Sequence, residues 1–67
     1  MAVVKIIEIL AESNESWEAA AKNAVAEAAK TVEKINQINI ENFLAVVENN
    51  KIVKYRVNAK ISFIVTG

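Results

Sequence analysis

Two long segments of alternating apolar and polar residues flank the tetrapeptide ENNK, residues 48–51. In residues 52–65 every second side chain is apolar or aromatic, which predicts a β-strand with one buried face. Residues 37–47 alternate in a similar way, and Asn49-Asn50 favours the positive φ angles of a two-residue hairpin turn. A strand over residues 52–65 would extend roughly 46 Å at about 3.3 Å per residue. The sequence therefore predicts an unusually long β-hairpin.

The strand over residues 37–47 is predicted to place most of its aliphatic side chains on one face, interrupted by Asn42. That face carries Ile38, Ile40, Leu44 and Val46.

Residues 16–35 predict an α-helix, because alanine is the best helix former and this segment is rich in it. Apolar residues recur at spacings of three and four, which indicates one buried face: Trp17, Ala21, Ala24, Val25, Ala28, Val32 and Ile35. A helix of that length spans about 30 Å. It cannot cover the hairpin, so the overhanging part must meet other subunits or wrap around the helix.

The first secondary-structure element is a short β-branched segment, VVKIIEIL at residues 3–10, which predicts a strand. The polar segment AESNES follows, where either Ser13 or Ser16 can cap the helix N-terminus. The resulting order is β-α-β-β, so the fold class is α+β.

The length predicts one domain over residues 1–67, whose hydrophobic core is marginal at this size. The chain contains no cysteine and no histidine. Disulfides and the usual structural zinc sites are therefore excluded, and oligomerisation is the expected source of further burial.

Enzyme activity is not expected. Histidine, cysteine and aspartate are all absent, and the serines have no histidine partner. The single glycine excludes a phosphate-binding loop of the Walker or dinucleotide type. Trp17, Tyr55 and Phe63 fit packing positions better than ligand stacking.

The chain is expected to be cytoplasmic, without nucleic-acid or membrane partners. Its formal net charge is zero, no apolar run approaches the length of about 20 residues that spans a bilayer, and the first residues lack the layout of a signal peptide.

Charges are segregated along the chain. Lys51, Lys54, Arg56 and Lys60 lie in the last seventeen residues, which contain no acid. This basic strand either pairs with the acids of the same or another subunit, or binds an anion such as a phosphate group. Glu15 or Glu41, repeated around a three-fold axis, could form a carboxylate ring for calcium. The alternative is that both glutamates are simply solvated.

The element order and four segments resemble the dodecin family: VVKIIEIL, SNESWEAAAKNAV, AAKTVEKI and VENNKIVKYRVNAKISF. The shared features are the serine-bearing loop before the helix, Lys30-Thr31, and a final motif of Tyr55, Val57, Lys60 and Phe63. Together these features cover nearly the whole chain.

This resemblance implies a hollow homododecamer, in which each subunit wraps a three-stranded antiparallel sheet around one helix. Dodecins typically bind flavins such as FMN and riboflavin without chemistry, as storage or photoprotective carriers. They hold stacked flavin pairs between tryptophans at the start of the second strand.

In flavin-binding dodecins the stacking tryptophan falls at Gln37, and a glutamine that contacts the flavin edge falls at Arg56. Gln37 has no ring face, and stacking contributes about 0.5–1.5 kcal/mol per aromatic pair beyond area burial. We therefore predict weak flavin binding or none. A branch of the family associated with calcium tends to carry the dipeptide seen at Ser16-Trp17, so a calcium-binding or purely structural oligomer is the alternative.

Overall fold

A computed structural model describes residues 3–65 of the chain. In chain order the elements are β1 (Val3–Ser13), α1 (Trp17–Ala28), β2 (Ile35–Glu48) and β3 (Lys51–Val65). β3 lies in the middle of the sheet, antiparallel to both β1 and β2. The predicted β-α-β-β order and three-stranded antiparallel sheet are confirmed. The face of the sheet that α1 packs against is called the helix face below, and the opposite face is called the outer face.

The hairpin turn forms where it was predicted. Asn49 and Asn50 have φ angles of 52° and 63°. Asparagine tolerates this left-handed region better than most residues, because its short polar side chain bonds locally to the backbone. The two strands that leave the turn have 14 and 15 residues, and the molecule is correspondingly elongated, with extents of 51 × 19 × 13 Å.

β2 is not a regular strand, because its pairing with β3 shifts register at three places. At the central shift, Ile40 is opposite Ala59 and Asn42 is opposite Asn58. Glu41 is therefore an extra residue without a cross-strand partner, which is the arrangement of a β-bulge.

This bulge overturns one prediction from the sequence. Cross-strand partners lie on the same face of a sheet, so Ile38 and Ile40 lie on the helix face with their β3 partners. Beyond Glu41 the alternation is inverted, and Leu44 and Val46 lie on the outer face. The prediction that these four side chains share one face is wrong, because a single inserted residue exchanges the two faces.

α1 begins at the expected capping serine. Ser16 has extended backbone angles, and its Oγ accepts a hydrogen bond of 3.0 Å from the Ala19 N–H. Ser13 has a different role, since its Oγ accepts a 2.9 Å hydrogen bond from the Glu15 N–H in the preceding turn. Of the two serines that the sequence left open, Ser16 is therefore the helix cap.

α1 is shorter than predicted: it ends at Ala28, and residues 29–34 turn the chain into β2. The prediction of a helix over residues 16–35 is wrong at its C-terminal end. Seven further helical residues would carry Ile35 about 10 Å along the helix axis, whereas the sheet requires Ile35 beside Phe63. Strand pairing thus overrides helix propensity, and Lys34 enters β2 with a φ of 58°.

The core lies where α1 packs on the sheet. Its helix side is a stripe of alanines at i, i+4 spacing, and its sheet side is the central part of β3; the buried residues are Ala20, Ala24, Ala28, Val57, Ala59 and Ile61. Small side chains let the helix lie close to the strands. The predicted helix face was rotated slightly, because Ala20 is buried whereas Ala21 and Val25 are only half-buried at its edge.

Beyond the N-terminal end of α1 the hairpin has no cover. Large apolar side chains remain in water there, including Phe43 at 63% exposure, Val47 at 59% and Ile52 at 51%. The predicted overhang of the hairpin is therefore present in the protomer. Residues 3–65 contain no helix with the length and apolar character needed to cross a bilayer.

Candidate functional site

The outer face carries a cluster of charges around Arg56. Glu12 on β1 is the direct cross-strand partner of Arg56 on β3. Its Oε1 accepts from Arg56 Nε at 2.9 Å, and its Oε2 accepts from Lys54 Nζ at 3.2 Å. Both oxygens of one carboxylate are thus held by two cations. We call Glu12, Lys54 and Arg56 the carboxylate clasp.

The clasp changes the titration of its carboxylate. Hydrogen bonds from Arg56 and then Lys54 lower the pKa of Glu12 below its ordinary value, because they stabilise the ionised form. At neutral pH Glu12 is therefore charged, and it offsets part of the positive charge that Lys54 and Arg56 present at this surface. The arginine at the position of the flavin-contacting glutamine is already engaged within the protomer.

Gln37, the other predicted ligand residue, is exposed near the start of β2 on the same outer face. Its cross-strand partner is Ser62, which lies six residues along β3 from Arg56. At about 3.3 Å per residue this separation is roughly 20 Å. One protomer therefore does not bring Gln37 and Arg56 together, and a ligand that touches both positions would lie between copies.

Lys60 forms a second ion pair on this face, with Glu41 of β2. Lys60 Nζ lies 3.0 Å from Glu41 Oε1, and this hydrogen bond raises the pKa of Lys60 above its ordinary value. Of the two interpretations of the basic strand, charge pairing is thus confirmed for Lys54, Arg56 and Lys60. The bulge residue Glu41 owes part of its position to this pair.

The two predicted calcium ligands have different surroundings. Glu41 is occupied by Lys60. Glu15 lies in the exposed turn between β1 and α1, where its backbone N–H, but no cation, is engaged. Within residues 3–65 no three acidic side chains of one protomer are grouped as a metal site would need. A calcium site involving either glutamate would have to be completed by other copies.

Trp17 belongs to an aromatic cluster at the N-terminal end of α1. Its indole lies edge-on to Tyr55, with ring centroids 4.9 Å apart, and to Phe43 at 6.1 Å. The indole N–H donates to the Leu44 carbonyl at 2.8 Å. These contacts favour the packing role predicted for Trp17, although 36% of the residue remains exposed.

An open groove runs between α1 and β2, with a volume of about 400 Å³. It is present because α1 packs mainly on β1 and β3, which leaves the β2 side of the helix uncovered. Its floor is apolar and its rim is charged; the lining residues are Glu18, Ala21, Lys22, Val25, Ala26 and Ile38.

Glu12 is the site residue that sequence reasoning missed. Its signal was present: an acid near the end of the first strand, in a chain whose last strand is basic. Only the strand register turns that signal into a contact, because β1 pairs with β3 and not with its sequence neighbour β2.

Comparisons with known proteins agree with this geometry. A family model described as Dodecin matches residues 3–66. An arginine-to-alanine variant of the Thermus thermophilus dodecin has a TM-score of 0.94 and 24% identity, over 100% of both chains. The Streptomyces coelicolor dodecin has a TM-score of 0.94 and 20% identity, over 98% of this chain and 94% of its own.

The calcium-chelating calcium dodecin of Mycobacterium tuberculosis is more similar in sequence. It shares 31% identity with a TM-score of 0.83, over 96% of this chain and 91% of its own. No curated protein matches the sequence. Since the family model spans residues 3–66, almost the entire length, the chain belongs to the dodecin family.

Proposed function

We propose that the chain assembles into a homododecamer, a hollow cage that holds a small ligand and performs no chemistry on it. The observation that carries this proposal is the uncovered hairpin. A 67-residue chain leaves Phe43, Val47 and Ile52 each at least half exposed. Such apolar surface is typical of a subunit that completes its core against copies of itself.

A binding role fits the side chains better than catalysis does. The sequence has no histidine, cysteine or aspartate, so the usual nucleophile and base pairs cannot form. Resemblance to dodecins supplies the twelve-fold assembly and the storage role. The separation of Gln37 from Arg56 along β3 supports ligand sites shared between copies.

The residues at the flavin positions do not fit a stacked flavin pair. Gln37 offers no ring, and Arg56 is held by Glu12 at 2.9 Å. A flavin would lose both aromatic stacking faces and would have to compete with a carboxylate for the guanidinium. We therefore expect flavin to bind weakly, and phosphorylated FMN no better than uncharged riboflavin, because the clasp already offsets the local positive charge.

Calcium binding is the second candidate, favoured by the 31% identity to the calcium dodecin of Mycobacterium tuberculosis. Of the two glutamates, Glu15 is the better candidate ligand because Glu41 already pairs with Lys60. Carboxylates of several copies that meet at a symmetry axis would repel each other, and calcium could bridge them.

Native mass spectrometry of freshly purified protein tests the assembly and the ligand in one measurement. The expected result is a particle of twelve chains, with any bound small molecule visible as added mass. A stable monomer at micromolar concentration would overturn the proposed assembly. A twelve-chain particle that never carries added mass would favour a purely structural oligomer.

Flavin fluorescence titration tests the flavin argument. The native chain should quench riboflavin weakly, whereas the double variant Gln37→Trp/Arg56→Gln should bind more tightly. Sub-micromolar affinity in the native chain would refute the reasoning from these two positions.

Thermal unfolding with calcium and with a chelator tests the metal candidate. Glu15→Gln should abolish any calcium-dependent rise in melting temperature, and Glu41→Gln serves as the matched control. If chelation leaves the melting temperature of the native chain unchanged, the calcium candidate is rejected.

A further inference from the structure

The groove between α1 and β2 has the chemistry of a docking site. Its floor is formed by small and aliphatic side chains, with Ala21, Val25 and Ile38 among them, and Glu18 and Lys22 stand on its rim. The two rim charges approach each other only to 3.6 Å, with both side chains largely in water. A pair of this kind contributes little to stability, so both charges can be redirected to a partner at little cost.

The end of the hairpin has the complementary chemistry. We define the hairpin tip as residues 47–52. Val47 and Ile52 are cross-strand partners, each more than half exposed. The next pair toward the turn is Glu48 opposite Lys51. The tip therefore presents two aliphatic side chains followed by one acid and one base, which matches an apolar floor bordered by one base and one acid.

The tip cannot fill the groove of its own chain. Ile38 in the groove and Val47 at the tip are nine residues apart on one extended strand, which is about 30 Å. Strand β2 is continuous between them, so the chain does not fold back. The occupant must come from another molecule.

We propose that the hairpin tip of one copy docks in the α1–β2 groove of a second copy. Val47 and Ile52 cover the apolar floor, Glu48 faces Lys22, and Lys51 faces Glu18. The proposal rests on the proposed self-assembly and specifies one of its contacts. Because tip and groove are different surfaces, the contact is heterologous, and repeated copies close into a ring. A ring of three is compatible with twelve subunits.

Disulfide trapping tests the docking directly, because the native chain contains no cysteine. The double variant Ala26→Cys/Val47→Cys places one thiol at the groove and one at the tip. Docking brings their Cβ atoms to the separation of roughly 3.5–4.5 Å that a disulfide requires. Mild oxidation should then convert most chains into a ladder of cross-linked oligomers on a non-reducing gel.

The matched control is Ala26→Cys/Leu10→Cys. Leu10 is as exposed as Val47, but it lies on β1 and on the outer face. Equal cross-linking of both double variants would show random collision and would overturn the proposal.

Charge reversal provides a second test. Lys22→Glu should weaken assembly by about two- to five-fold in the dissociation midpoint, as expected for an exposed ion pair. Adding Glu48→Lys should restore it, since the exchanged charges again attract. Strictly additive effects of the two substitutions would contradict the pairing of Lys22 with Glu48.

The outcomes separate the docking proposal from the assembly proposal. If the native chain is monomeric in native mass spectrometry, the assembly itself fails. If the native chain assembles but the groove and tip thiols never cross-link, only the docking proposal fails. In that case, bound mass that disappears in Ala26→Trp would identify a small apolar ligand as the occupant of the groove.

Discussion

β3 passes through two environments. In its second half Val57, Ala59 and Ile61 are fully buried beneath α1, whereas in its first half Ile52 and Val53 remain in water. Both halves show the same alternation of apolar and polar residues. The alternation thus specifies a strand with an apolar face, but not what covers that face. Cover depends on helix length: α1 has 12 residues and spans about 18 Å, against about 50 Å for β3.

The largest expected difference between the two halves is in packing. Ile61→Ala should lower the free energy of unfolding by about 2–5 kcal/mol at every protein concentration, because the cavity forms inside the protomer. Ile52→Ala should cost less, and its cost should grow with protein concentration, because its side chain can be buried only by another copy. Urea unfolding followed by Trp17 fluorescence measures both. Equal losses that do not depend on concentration would remove the distinction between the halves.

A smaller effect concerns the helix that creates the covered half. Ser16→Ala removes the hydrogen bond to the Ala19 N–H and should destabilise the chain by about 1 kcal/mol. Ser13→Ala is the control, since its hydroxyl bonds in the turn before the helix and its loss should matter less. A larger loss for Ser13→Ala in thermal unfolding would contradict the assignment of the cap.

The carboxylate clasp lies at the boundary between the halves, and its contribution depends on pH. Because the pKa of Glu12 is lowered on folding, its stabilisation is fully present above the unfolded pKa of about 4.3. It is lost as pH falls through the lower folded value.

Glu12→Gln should therefore flatten the acid side of the stability–pH curve and lower stability modestly at neutral pH. Glu33→Gln, which removes an exposed glutamate in the turn after α1, is the control. An unchanged acid limb in Glu12→Gln would show that the clasp does not hold in solution.

The smallest effect is expected at the turn, at the uncovered end. Asn50 has a φ of 63°, where glycine is free of the penalty that a Cβ atom causes. Asn50→Gly should change unfolding stability by a few tenths of a kcal/mol at most, whereas Asn50→Ala should lose roughly 1 kcal/mol. Chemical denaturation of the two variants provides the comparison, and a stable Asn50→Ala would be inconsistent with the left-handed turn.

The strands and the turn could be predicted because their signals are local: alternation in residues 52–65 and two consecutive asparagines. The end of α1 could not, because residues 29–35 contain no helix breaker and the chain leaves the helix only to pair Ile35 with Phe63. The faces of β2 and the role of Glu12 depend on register in the same way. Family resemblance located Gln37 and Arg56, but not the carboxylate that Arg56 already holds.

The bulge at Glu41 makes the hairpin sensitive to a change in length of one residue. Deleting Glu41 would restore simple parity along β2, and every side chain beyond it would exchange sides at once. Leu44 would then join the aromatic cluster of Trp17, and Phe43 would stand beside the cations of β3. A three-nucleotide deletion in the gene would alter this surface more than most substitutions, so a coding sequence can vary in composition here far more freely than in length.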